Sequence, residues 1–143
     1  MKSQIEQLFN DGDSCLREAT SESFLKDEVQ GDVVCNCCKA IKKYLGAYVL
    51  HLYSTFEPSE SYHSLVHVIL QKDADFRLFI EKIFAIKCFA EEARLKNETA
   101  SLDVDDIKSI LKDALEIRNY IASKIRFLFE FIEKNSELSF MST

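Results

Sequence analysis

Cysteine and lysine residues are concentrated between positions 35 and 43 of this 143-residue chain, and both side chains can do chemistry. Cys35 and Cys38 are three residues apart, while His63 and His67, further along, are four apart. Thiolate and imidazole groups at such spacings ligate structural zinc. The neighbouring lysines could instead hold a phosphate. Two kinds of site, a metal site and an anion site, therefore need to be weighed.

The anion site would use three basic side chains. Lys39 and Lys42 lie on the polar side of a predicted helix, and Arg94 lies near the end of another. Lysine supplies a point charge and arginine a bidentate fork, and together they suit a terminal phosphate. The competing interpretation is that the lysines form the solvated face of an amphipathic helix.

The metal site conflicts with the expected course of the chain. If a short helix doubles back from the end of a long one, His67 lies near Val49. Cys38 is then about 16 Å further along the long helix, whereas zinc bonds are about 2.0–2.3 Å. We therefore expect neither a metal nor a cofactor. His63, which follows a loop with Pro58, would either fix that loop through a backbone carbonyl or contact a ligand.

Composition narrows the class of protein further. The net charge is −6, the wrong sign for tracking a phosphate backbone, so no DNA partner is expected. No run of about 20 apolar residues predicts a membrane span, and Met1 leads into polar residues rather than a signal core. Five cysteines, an odd number, fit free thiols in a reducing compartment. These features predict a cytoplasmic protein without membrane contact.

Three glycines and one proline leave few places for turns, which favours a few long helices. We predict an all-α, up-and-down bundle of about five helices, with a long second and a long last helix. The first segment, to about Thr20, has helical spacing interrupted between residues 10 and 13. It predicts a short helix and a turn, or a helix that restarts at Ser14. The long second helix should end near Thr55.

The rest of the chain predicts three further helices. A short helix should begin at Tyr62, and Asp73 or Asp75 can cap the next one, which should end near Leu95. Asp103 is a good N-cap for the last helix, whose apolar stripe continues to about residue 132. The prediction is one domain over 1–143, with its core at about 24–132, an N-terminal helix and turn at 1–22 and a tail at 133–143.

The apolar pattern of the last helix changes after Lys124. Phe127 and Phe131 form an apolar ridge on a different side from the stripe that faces the bundle. We expect this ridge to be the interface of a homodimer.

This order of elements resembles the higher-eukaryote-and-prokaryote nucleotide-binding (HEPN) family of helical domains. Four segments carry the resemblance: Lys39-Ala40-Ile41-Lys42, Tyr62-His63-Ser64-Leu65, Arg94, and the amphipathic helix from Asp103 to Ile125. The resemblance implies one of two roles. Some members accompany a nucleotidyltransferase chain and bind its substrate or nucleotide. Others are metal-independent ribonucleases, often toxins of toxin–antitoxin pairs.

The chain departs from the ribonuclease pattern on its last helix. Arg118 and Asn119 match it, but the positions where a histidine should follow hold Ser123, Lys124 and Ile125. Neither serine nor lysine has the near-neutral pKa that proton transfer requires. We therefore expect a non-catalytic nucleotide- or substrate-binding domain that works with a nucleotidyltransferase. Its expected ligand contacts are Lys39, Lys42, His63, Arg94 and Arg118. The alternatives are a homodimeric interaction module without a small ligand, and a ribonuclease toxin.

Overall fold

The structure, a computed structural model, describes residues 2–22, 30–95 and 104–125. Within these ranges the chain forms five α-helices and no strand, which confirms the predicted all-α bundle. The helices are α1 (Lys2–Glu22), α2 (Gln30–Tyr53), α3 (Tyr62–Lys72), α4 (Ile80–Leu95) and α5 (Val104–Lys124), with a 3₁₀ helix (Ala74–Phe79) before α4. None of the described helices combines the length and apolar character that crossing a membrane requires.

Helix α1 is continuous, so the predicted interruption between residues 10 and 13 is wrong. Gly12 lies against the ring of Tyr44 on α2, where a larger residue would not fit. Asp13 is fully buried and accepts hydrogen bonds from Tyr44 and Arg118. Residues typical of a turn are therefore held in a helix by partners on α2 and α5.

Helix α2 lies at the centre and packs against each of the other four α-helices. Its residues 44–50 are all buried, on every side of the helix. Buried side chains from all five helices share this core: Phe9, Leu16, Ile41, Leu45, Leu65, Ile69, Ile83, Ile86, Ile117 and Ile121. The predicted N-cap at Asp103 and the ridge of Phe127 and Phe131 lie outside the described residues.

The loop after α2 returns the chain along that helix. Phe56 packs over Gly46, and the Tyr62 hydroxyl donates to the carbonyl oxygen of Cys38. Helix α3 therefore begins beside the middle of α2, so the expected position of His63 near the end of α2 is wrong. Val68, next to His67, does lie near that end, where its carbonyl oxygen accepts a hydrogen bond from Tyr53. Within the ranges given above, no group of three or more His, Cys, Asp or Glu side chains could hold a metal ion.

Asp73 precedes the 3₁₀ helix, as the predicted cap position requires, but its side chain makes no capping hydrogen bond. It accepts instead from the hydroxyls of Tyr48 on α2 and Tyr120 on α5, at 2.6 and 2.7 Å. Burial alone would raise the pKa of Asp73, but the two hydrogen bonds, together with the charge of Lys124 and the backbone N–H of Asp75, lower it on balance. The carboxylate thus joins three segments of the bundle.

The lowered pKa of Asp73 predicts a loss of stability in acid. A carboxylate with a depressed folded-state pKa stabilises the fold above its unfolded value, about 3.9, and this contribution disappears as the pH falls through the folded value. Urea unfolding between pH 5 and about 2 should therefore show a smaller decrease in the Tyr48→Phe, Tyr120→Phe double variant than in the natural chain. Equal decreases would contradict the assignment.

Candidate functional site: a cationic groove

A groove of about 320 Å³ lies between α2, α4 and the beginning of α3. We call it the cationic groove. It is lined by Cys35, Cys38, Lys39 and Lys42 from α2, by Lys87, Ala90, Glu91 and Arg94 from α4, and by Ser61 and Tyr62 at the start of α3. Three of the five predicted ligand contacts, Lys39, Lys42 and Arg94, therefore lie at one site. Its volume is at the small end of the range for small-molecule pockets, roughly 300–1,000 Å³.

Charge in the groove has the opposite sign to the chain as a whole. Among the lining residues that the structure describes, Lys39, Lys42, Lys87 and Arg94 contribute four positive charges and Glu91 contributes the one carboxylate. Glu91 Oε1 lies 3.6 Å from Lys87 Nζ, one turn away on the same helix. The described part of the lining therefore carries a net charge of +3, in a chain whose formal net charge is −6. This local excess attracts anions.

The two thiols in the groove are not activated as nucleophiles. Burial raises the pKa of Cys35, although Arg94 and Lys39 oppose the shift. Burial also raises the pKa of Cys38, against the opposing effect of the hydrogen bond between its thiol and the Tyr62 hydroxyl. The reactive form of cysteine is the thiolate. Both groups are therefore neutral thiols near pH 7, and they form part of the wall of the groove.

Tyr62 anchors the wall of the groove that the start of α3 forms. Its ring is buried, and its hydroxyl lies 3.0 Å from Cys38 Sγ while donating to the carbonyl oxygen of the same residue. Burial raises the pKa of this hydroxyl, so it stays protonated. Ser61, the preceding residue, caps α3 by accepting a hydrogen bond from the backbone N–H of Ser64 at 3.1 Å. The beginning of α3 is thus anchored to α2.

His63 does not join the cationic groove. Its ring stacks on Phe84 of α4, with the ring centroids 4.5 Å apart. His63 and His67 line a separate, shallow depression on the outer side of α3 and α4. The expected ligand contact of His63 is therefore not combined with those of Lys39, Lys42 and Arg94.

Arg118 lies in the core and not in the groove. Its Nε and Nη2 atoms donate to the two carboxylate oxygens of Asp13, at 2.7 and 3.2 Å, and Nη1 donates to Asn119 Oδ1 at 2.8 Å. Arg118 is 5% exposed and Asp13 is fully buried. Burial alone would lower the pKa of Arg118, but Asp13 reverses this and raises it. The arrangement makes Arg118 a structural ion pair between α5 and α1.

Lys87 is a groove residue that sequence reasoning missed. It lies on α4 one turn before Glu91 and two turns before Arg94. Its spacing from Arg94, seven residues, places both on the same helical face, and this was the available signal. That signal becomes useful only when it is known which face of α4 meets α2.

Comparison with known proteins adds no assignment, since no protein-family model, no curated protein and no solved structure matches the chain.

Proposed function

We propose that this chain is a non-catalytic helical domain that binds a small phosphate-bearing ligand, of the nucleotide class, in the cationic groove. The observation that carries the proposal is the position of Lys39, Lys42, Lys87 and Arg94 around one cavity of an acidic chain. Arginine and lysine in combination are suited to phosphate, and the cavity has room for a small molecule. The expectation came from sequence, and the geometry of the groove supports it.

The proposed setting follows from the resemblance to the HEPN family. Its binding-type members accompany a nucleotidyltransferase, so we propose that such a chain is the partner and that the pair works in the cytoplasm. In this arrangement the present domain would hold a substrate or nucleotide while the partner supplies the catalytic groups. Copurification with a nucleotidyltransferase encoded nearby would test the partnership directly.

A ribonuclease function has less support. The resemblance would assign the phosphate-steadying role to Arg118, whose guanidinium instead makes a bidentate ion pair with buried Asp13. A phosphate would have to displace that carboxylate inside the core. The histidine of the ribonuclease pattern is also replaced. Neither the position that would steady the phosphate charge nor the position that would transfer the proton therefore holds a free group. RNA cleavage without metal that stops in the Arg118→Ala variant would reverse this conclusion.

A homodimer through Phe127 and Phe131 stays a prediction, because both residues lie outside the described part of the chain. It is compatible with ligand binding and could also be the chief function. Light scattering should show a dimer that the Phe127→Ser, Phe131→Ser double variant loses. An unchanged mass would remove this interface from consideration.

Ligand binding should stabilise the fold. A nucleotide at 100 times its Kd adds about 2.7 kcal/mol, which raises the Tm by several degrees in a domain of this size. Reversing one groove charge, in Lys39→Glu or Arg94→Glu, should abolish most of that increase. The matched control is Lys43→Glu, an equal charge change on α2 at an exposed residue that does not line the groove. An increase that survives both groove variants would contradict the site.

The groove thiols can report where a ligand binds. Cys35 and Cys38 line the groove, whereas Cys88 is exposed on α4 and lies outside it. A bound nucleotide should slow alkylation of the first two thiols and leave the rate at Cys88 unchanged, as measured by mass spectrometry of peptides. Equal slowing at all three would indicate general stabilisation and not occupancy of the groove.

A further inference from the structure

The positive charges of the cationic groove are unevenly distributed along its length. Helices α2 and α4 run in opposite directions, since Cys35 Sγ lies 3.8 Å from the carbonyl oxygen of Ala90 while Tyr48 meets Phe76, just before α4. Lys42, two turns after Cys35, therefore lies towards the beginning of α4. The end of α4, with Arg94, lies at the opposite end of the groove.

One end of the groove thus holds Lys42 and Lys87, beside the start of α3 at Ser61. The other end holds Arg94. Lys87 and Arg94 are seven residues apart, which is about 10 Å along a helix axis. Lys39, four residues after Cys35, lies about level with Lys87 on the facing helix, so it belongs to the same end as Lys42 and Lys87.

Glu91 separates the two cationic ends on α4. It is one turn from Lys87 and nearly one turn from Arg94. A positive, a negative and a positive side chain therefore follow one another along the wall that α4 forms. A continuous chain of phosphates would bring negative charge against this carboxylate, at a cost that grows as water is excluded. The negative charge of Asp32, which does not line the groove, contributes to the raised pKa of the nearby Cys35 thiol. The middle of the groove therefore suits a neutral or hydrogen-bond-donating group.

From this charge pattern we infer that the groove selects a ligand with two separated anionic groups and an uncharged middle, such as a nucleoside bisphosphate phosphorylated at both its 3′ and 5′ positions. A 5′-diphosphate has the same two phosphates next to each other and can occupy only one end. This inference rests on the proposed function for the identity of the ligand as a nucleotide, but the selection by spacing does not depend on the base.

The test measures the distance between anions with linear alkane bisphosphonates of increasing length, by isothermal titration calorimetry. Affinity should pass through a maximum at intermediate length and exceed that of the shortest compound by about tenfold, since a second charge-assisted contact adds about that factor. In Arg94→Gln the maximum should disappear, while the matched control Lys43→Gln retains it. In Glu91→Gln the shortest compound should gain more affinity than the optimal one.

A pair of nucleotides of the same base, the 3′,5′-bisphosphate and the 5′-diphosphate, completes the test. Tighter binding of the bisphosphate, together with the length maximum, supports both the inference and the proposed function. If the diphosphate binds at least as tightly and affinity falls steadily with bisphosphonate length, the inference is overturned and the proposed function stands. If a length maximum appears but neither nucleotide binds, the nucleotide assignment is overturned and the spacing rule stands. Absence of binding by every probe overturns both.

Discussion

Replacing Asp13 by alanine should lower the free energy of unfolding by about 3–5 kcal/mol, which is a large share of the roughly 5–15 kcal/mol that a domain possesses. The variant leaves the guanidinium of Arg118 in the core without its carboxylate, and it also removes the acceptor of the Tyr44 hydroxyl at 2.5 Å. Arginine cannot escape the cost by losing its proton. Thermal unfolding should show a Tm lower by about 10 °C or more.

Two further variants separate the cost of a broken pair from the cost of losing a side chain. Combining Asp13→Asn with Arg118→Met removes both charges and keeps an acceptor for Tyr44, so it should cost less than Asp13→Ala alone. Glu116→Ala removes the closer of the two carboxylates that pair with Lys82, 2.8 Å away at the surface, and should change stability little. Similar losses in Asp13→Ala and Glu116→Ala would show that burial does not set the strength of the first pair.

The second large effect should come from Gly12→Ala, a change that ordinarily stabilises a helix by about 1 kcal/mol. Here the added Cβ would lie 2.6 Å from Cε1 and 2.9 Å from Cδ1 of Tyr44. That ring cannot turn aside, because it is fully buried, packs against Phe9 and is held by its hydrogen bond to Asp13. We expect a net loss of about 1–3 kcal/mol in urea unfolding.

Gly46→Ala provides the matched comparison. Its Cβ would lie 2.7 Å from Cζ of Phe56, which is as close as the contact at Gly12. Phe56, however, is only half-buried and stands on a loop, so the tip of its ring can move outwards. We expect this variant to be near neutral or slightly stabilising. If Gly12→Ala is the more stable of the two, the ring of Tyr44 is not the constraint described here.

Periodicity predicted the parts of the fold that depend on local pattern. The beginning of α3 at Tyr62 is confirmed to the residue, because a capping serine marks it locally. The continuity of α1 was missed because its causes are distant. Taken alone, Gly12 and Asp13 are typical of a turn. Their contacts with Tyr44 and Arg118, which are distant in sequence, favour a helix there instead.

The sequence predicted only part of the candidate site, again because some of its geometry depends on distant residues. Lys39, Lys42 and Arg94 were chosen by motif, and they do line one groove. Arg118 was chosen by motif as well, yet its geometry is set by a carboxylate more than a hundred positions earlier in the chain. Lys87 was overlooked because a lysine paired with Glu91 at i,i+4 is typical of a solvated helix face. Which face meets a neighbouring helix depends on packing, and no local pattern encodes it.

The pairing of Asp13 with Arg118 also bears on how this protein is made. The two residues are separated by 105 positions, so a growing polypeptide carries a carboxylate that belongs in the core long before its guanidinium partner has been synthesised. Until α5 leaves the ribosome, completing the core would bury that charge with only the Tyr44 hydroxyl to accompany it. Folding of this core is therefore expected to wait for the synthesis of α5, and until then the chain, with its apolar helix faces uncovered, is a natural client for chaperones.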